Sequence, residues 1–238
     1  LTAPSPGTQL GAALRRALVD RVPRDHDQTD RDFRRRRTVA AVTLVAGTTL
    51  LGLSLATRPG ADEFYPLTGA VAVVWVLGGL ASGPLHLGFV AVGGRLRRPV
   101  LTPLILGLAA SAVFVLGALV VREIEPIRQV VSGVLDHERR GDTGLVYLVT
   151  IGNGVAEEIF FRGALFAAIG RRNPVVASTV LYAAVTVATW NVMLVFAAAV
   201  MGTLFALQRR ASGGVLAPAI THVTWSALML LALPPLLQ

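Results

Sequence analysis

Residues 100–121 read VLTPLILGLAASAVFVLGALVV, a run without one charged side chain. A helix rises 1.5 Å per residue, so about twenty apolar residues cross a hydrocarbon core of about 30 Å. The run is too long for an ordinary strand and too uniformly apolar for a helix with one wet face. It predicts a membrane-spanning helix.

Working outward, comparable apolar blocks cover 38–57, 66–92, 144–169, 174–190, 191–207 and 215–233, the last closed by Pro234 and Pro235. The second block carries Pro84, where it is expected to tilt or break, and His86 close to that point. The fifth and sixth are contiguous and short, which predicts a tight hairpin at Trp190 and Asn191. The fold expected is all-α, a polytopic transmembrane bundle of about seven helices. Small residues suit close helix approach in lipid, and Gly79-Leu80-Ala81-Ser82-Gly83 is one such spacing.

Composition agrees. Of 238 residues, 53% are hydrophobic and 15% charged, against about 25% charged in a soluble domain. The net charge of +8 comes from Arg alone, with no Lys. Because the positive charge flanks apolar blocks, it is read as topology control with the lipid bilayer as partner, and not as a nucleic-acid surface. Cysteine is absent, which excludes disulfide and thiolate chemistry.

Arginines cluster at 34–37, at Arg95, Arg97 and Arg98, at Arg171 and Arg172, and at Arg209 and Arg210. Alternating helices put all of these on one side. The opposite connections balance Arg with acid, as in Arg58 with Asp62 and Glu63, or Arg122, Arg128, Arg139 and Arg140 with Glu123, Glu125, Asp136, Glu138 and Asp142. Positive-inside logic then expects a multi-pass protein of the cell membrane, its amino terminus cytoplasmic and its carboxyl terminus outside. Residues 1–37 are read as an Arg-rich cytoplasmic tail and not a signal peptide, with Gly11–Val22 either a short amphipathic surface helix or disordered. Residues 38–142 are expected to hold accessory spans and a charged loop. Within that loop, 122–142 is either an interfacial helix, using Ile127, Val130, Val131 and Leu135, or an exposed connection.

After Asp142 only Glu157 and Glu158 are acidic, and both sit inside the fourth block with Arg162. Each such group costs about 2.5–3.5 kcal/mol at mid-membrane on insertion scales. Glu158 and Arg162 are spaced i, i+4 and can pair, while Glu157 is turned about 100° away. Two buried carboxyls sharing one guanidinium favour a proton on one of them, and a buried carboxylate is suited to take a proton from water. An architectural ion pair beside a protonated Glu is the alternative. In the seventh block Pro218 opens the helix backbone, and His222 and Ser226 share a face. The fifth block offers Thr179, Tyr182, Thr186 and Thr189, residues that in membrane helices commonly bond their own backbone.

Glu157-Glu158-Ile159-Phe160-Phe161-Arg162 resembles the E-E-x-x-x-R motif of the CPBP family, the CaaX-protease and bacteriocin-processing membrane proteins also called the ABI family. His222-Val223-Thr224-Trp225-Ser226 is similar to the family's H-x-x-x-N motif, with Ser226 for Asn, and Tyr182 and Thr186 stand where F-x-x-x-H has Phe and His. The resemblance spans roughly 145–233, so 143–238 is expected to be a CPBP-like catalytic core. It implies an intramembrane endopeptidase acting on a membrane-associated peptide or protein. Glu157 would activate water, Glu158 and Arg162 would support it, and His222 would polarise the carbonyl or hold a metal. Tyr182, Thr186 and Ser226 would be supporting polar groups. A divalent metal such as zinc needs three or four good ligands, and Glu157 with His222 leaves that set incomplete, which favours a weaker metal site or a metal-free glutamate mechanism. The other readings are a catalytically degenerate scaffold or immunity protein, motivated by Thr186 and Ser226, and a small proton-coupled transporter, for which no inverted repeat is found.

Overall fold

Thr29 caps the first long helix, its hydroxyl accepting from the Asp32 N–H, and Asp30 and Asp32 lie in the first turn where the helix dipole favours anions. The helix therefore begins well before the apolar block, and Arg34 to Arg37 are helical. The computed structural model describes residues 6–58, 61–140 and 142–237. Its helices are α1 (Pro6–Leu18), α2 (Asp30–Leu55), α3 (Phe64–Ala81), α4 (Leu101–Val121), α5 (Glu125–Arg140), α6 (Thr143–Ile169), α7 (Pro174–Thr186), α8 (Val192–Ser212) and α9 (Leu216–Leu236).

Six of these, α2, α3, α4, α6, α8 and α9, are long and apolar enough to cross a membrane, and α7 with its 3₁₀ turn to Thr189 is a shorter apolar helix. The bundle is inverted relative to a soluble protein. Val45, Val113, Leu148 and Val180 point outward and are each at least 60% exposed, as lipid-facing side chains are. The chain is a multi-pass, all-α membrane protein.

Three expected boundaries differ. The second apolar block does not run to Val92. Its helix stops at Ala81, Gly83 turns with φ +132°, and Pro84 follows. Beyond it the chain forms an antiparallel hairpin of β1 (Val90–Val92) and β2 (Arg95–Arg97), with Ala91 opposite Leu96. The glycines at 93 and 94, both at positive φ, supply the turn that a β-branched residue would resist. The sixth block extends to Ser212, which puts Arg209 and Arg210 in the last turn of α8, where cations suit the dipole. The seventh runs past its two prolines to Leu236.

The hairpin expected at Trp190 and Asn191 is present. Trp190 turns with φ +52°, and the Asn191 side chain caps α8 by accepting from Met193 and Leu194 N–H groups. The connection after α4 forms helix α5, and its Val131 and Ile127 pack on the end of α9. Residues 1–5 of the tail, and the side chains of Leu135, Asp136, Glu138, Arg139 and Arg140, lie outside the described residues.

The core sits between α2, α3 and α6. Trp75 stacks on Phe160 at 4.6 Å and fills the space opposite Gly47. Gly79 lets α3 approach Ile159 of α6. Cross-links mark two ends of the bundle. At one, Arg36 donates to the Pro84 carbonyl and Arg24 to the Arg210 carbonyl. At the other, Tyr65 Oη accepts from the Asp142 N–H, and Asn191 donates to the Val130 carbonyl. The Arg clusters thus gather at a single end.

Candidate active site

α6 carries Glu157 and Glu158 at the point where its geometry widens. Residues 158–165 form a π-helical stretch, a local expansion that recurs at functional sites. The i, i+4 pair survives it. Arg162 Nη1 donates to Glu158 Oε1 at 3.2 Å, and both side chains are fully buried.

The same Oε1 lies 2.9 Å from Nδ1 of His222 on α9, so one carboxylate oxygen joins two helices. Gly154, one turn earlier on α6, faces the imidazole, and a Cβ there would meet His222 at 3.5 Å, ordinary contact. Phe205 of α8 stacks on the other face of the ring, 4.7 Å between centroids.

Glu157, as its rotation on the helix requires, faces elsewhere. Its Oε2 accepts a 2.6 Å hydrogen bond from the Tyr182 hydroxyl on α7. The Arg162 guanidinium lies over the Tyr182 ring at 4.4 Å and the Phe205 ring at 5.2 Å. It also donates to the Gly202 carbonyl of α8 at 3.2 Å. Arg209, buried in the last turn of α8, donates to the Arg162 carbonyl at 2.6 Å. Four helices therefore converge on two carboxyls, one guanidinium and one imidazole.

Thr186 does not join them, because its hydroxyl donates to its own helix at Tyr182 O. Ser226 is buried one turn beyond His222. His86 lies apart from the carboxyls, stacked on His26 at 3.8 Å. Oε2 of Glu158, Nε of Arg162 and Oγ1 of Thr179 are buried without a hydrogen-bond partner among the described residues. Such groups gain from a water or a substrate amide placed beside them.

Among the described residues no three His, Asp, Glu or Cys side chains are grouped to hold a metal ion. Glu158 Oε1 is committed to Arg162 and His222, and a bound guanidinium opposes a second cation. These donors do not fit a tetrahedral zinc site, which takes at least three protein ligands.

The sequence did not single out Phe205 or Gly202, and it read Arg209 only as part of a charge cluster. Each acts through a backbone carbonyl, a ring face or missing volume, and none carries a signal at motif spacing. No curated protein and no solved structure matches the chain. A family model described as type II CAAX prenyl endopeptidase Rce1-like matches residues 140–228. That stretch holds every residue of the cluster just described. Residues 140–228 of this multi-pass chain are thus similar to the Rce1-like type II CAAX prenyl endopeptidases.

Proposed function

We propose that the protein is an intramembrane endopeptidase of CPBP type, with 143–238 as its catalytic core and a membrane-associated peptide or protein as substrate. The observation that carries this reading is the bridging oxygen: Glu158 Oε1 within 2.9 Å of His222 Nδ1 and 3.2 Å of Arg162. A buried carboxylate held by a guanidinium orients an imidazole, and Nε2 is then the ring nitrogen left for a substrate carbonyl.

In this mechanism the Glu157 carboxylate takes a proton from water as the water oxygen bonds to the scissile carbonyl carbon. His222, anchored at Nδ1 by Glu158, presents Nε2 to the developing oxyanion. Glu157 then passes its proton to the leaving amine as the C–N bond breaks, so proton and electron pairs balance without a metal. Tyr182 holds Glu157 at its other oxygen and fixes its direction. The side of the membrane bearing the Arg clusters is cytoplasmic in this proposal, as positive-inside logic requires, and the membrane is the cell membrane.

The test is cleavage by protein purified in detergent, offered a farnesylated CaaX peptide and an unmodified hydrophobic peptide. Glu157→Ala and His222→Ala serve as controls. Loss of cutting in both supports the assignment, and cutting at the parent rate in both sinks it.

A degenerate scaffold is the second reading, favoured by the inward turn of Thr186 to Tyr182 O. Thr186→His should confer divalent-metal affinity on an otherwise intact pocket. No gain by calorimetry, together with no cleavage by the parent, would favour the scaffold.

A further inference from the structure

A second polar site lies at the Arg-rich end, away from the carboxyls. After α1 the chain crosses this end of the bundle as a strap. Val22 N–H donates to the Ala211 carbonyl, Arg24 to the Arg210 carbonyl at 2.6 Å, and Arg210 back to the Leu18 carbonyl.

Opposite the strap, the segment after Pro84 pairs with the turn between α8 and α9. Val215 N–H donates to His86 O, Leu216 N–H to Leu87 O, and Phe89 N–H to Ser212 O. Gly88 has φ +85° and its backbone abuts that of Gly214, so a Cβ at either would overlap main chain. Strap, segment and turn enclose a cavity of about 460 Å³ that opens to the surface.

Its lining is chemically divided. Arg24 and Arg98 stand at the mouth, and among the described residues Asp25 is the one carboxylate lining it. Arg98 is steered by a bond to the Gly88 carbonyl at 2.9 Å and by the Phe89 ring at 4.2 Å. His26 and His86 form the stacked wall. Burial, then the neighbouring His86, Arg209 and Arg24, hold the His26 ring down to about 4, while Asp25 opposes them weakly. Burial, Arg209 and Arg36 also lower His86. At neutral pH both rings are uncharged and each keeps an N–H to donate, in a region of positive potential. On the apolar side Leu87 and Leu96 are 51% and 49% exposed at the rim.

We propose that this cavity binds the phosphate of an anionic phospholipid headgroup, with Arg24 and Arg98 as the charged clamp and Leu87 and Leu96 against the glycerol and acyl stems. The ligand chemistry is a phosphate anion at an interfacial depth. An anionic phosphate offsets the unbalanced cations, and the half-exposed leucines match an amphiphile better than a free ion. Occupancy would also tie the strap to the hairpin and to the α8–α9 turn. The site is independent of the protease reading.

The experiment is calorimetric titration of the full chain in non-ionic detergent. The probes are dioctanoyl phosphatidylglycerol, dioctanoyl phosphatidylcholine and inorganic phosphate. Phosphatidylglycerol should bind more tightly than phosphatidylcholine. Arg98→Gln should weaken it about fivefold, and Arg24→Gln with Arg98→Gln about thirtyfold, from the usual gain per basic residue near an anionic surface. Saturation by inorganic phosphate at similar concentration, with the same losses in the variants, would assign the site to free phosphate. Because Arg24 also holds the strap, thermal unfolding is recorded for each variant, and Arg98→Gln decides alone if the double variant unfolds. Equal phosphatidylglycerol affinity in parent and Arg98→Gln, or no binding of either anionic probe, overturns the proposal.

Discussion

Nδ1 of His222 stands 2.9 Å from Oε1 of Glu158, joining residues 64 positions apart in the chain. Arg162 reaches the same oxygen from within α6. The imidazole is thereby oriented by a carboxylate that is itself locked by a buried cation. Removing the carboxylate charge should release both.

Glu158→Gln keeps the shape and leaves Arg162 buried without its counter-ion. Breaking a buried pair this way costs on the order of 3–5 kcal/mol. Thermal unfolding in detergent should show a large drop for Glu158→Gln and for Arg162→Leu. The double variant should lose much less than the sum, because the two act as one unit. Additive losses would mean that the pair does not couple.

Tyr182→Phe removes only the hydroxyl that donates to Glu157 Oε2. The ring stays packed on Phe161 and under the Arg162 guanidinium, so the loss of stability should be confined to that one hydrogen bond. A hydrogen bond to a charged group contributes about 1.5–3 kcal/mol. If Tyr182 directs the proposed base, kcat for peptide cleavage should fall about tenfold or more with KM nearly unchanged. A fall in KM-dependent binding alone would place Tyr182 against the substrate and not against the base.

Two glycines near the site should respond in opposite ways to the same substitution. In Gly154→Ala the new methyl meets His222 at 3.5 Å, and the helix gains up to about 1 kcal/mol of propensity. In Gly202→Ala the methyl presses on Tyr182 Cδ1 at 3.0 Å and Arg162 Nη2 at 3.3 Å. Overpacking of that kind costs about 1–3 kcal/mol. Melting curves should therefore rank Gly202→Ala below the parent and Gly154→Ala at or above it.

Stability should also depend on the His26–His86 stack. The His26 ring is held at about 4 in the folded chain, below its ordinary value of 6.5. Between those values the unfolded chain binds more protons, so stability rises with pH there and is lost as pH falls from 6.5 toward 4. His26→Gln should flatten that part of a Tm-versus-pH curve measured in detergent. An unchanged slope would assign the acid sensitivity to another group.

The amino-acid sequence by itself determined the class of this protein. Uncharged runs such as 100–121 admit few structures in lipid, because a backbone without water must satisfy its own polar groups. It also exposed Glu157, Glu158, Arg162 and His222, since ionisable side chains inside apolar blocks are costly and stand out against their neighbours. It marked Pro84 as a place for the second block to tilt or break, but it did not disclose that the helix ends at Ala81 or that a β-hairpin follows. The residues of β1 are as apolar as a membrane span, and what makes them a strand is the backbone they pair with. Only the tertiary structure decided that Tyr182 holds Glu157, that Phe205 and Gly202 complete the pocket, and that His26 meets His86. Those pairings depend on helix rotation and on backbone groups brought together by packing, and neither quantity is carried by spacing along one chain.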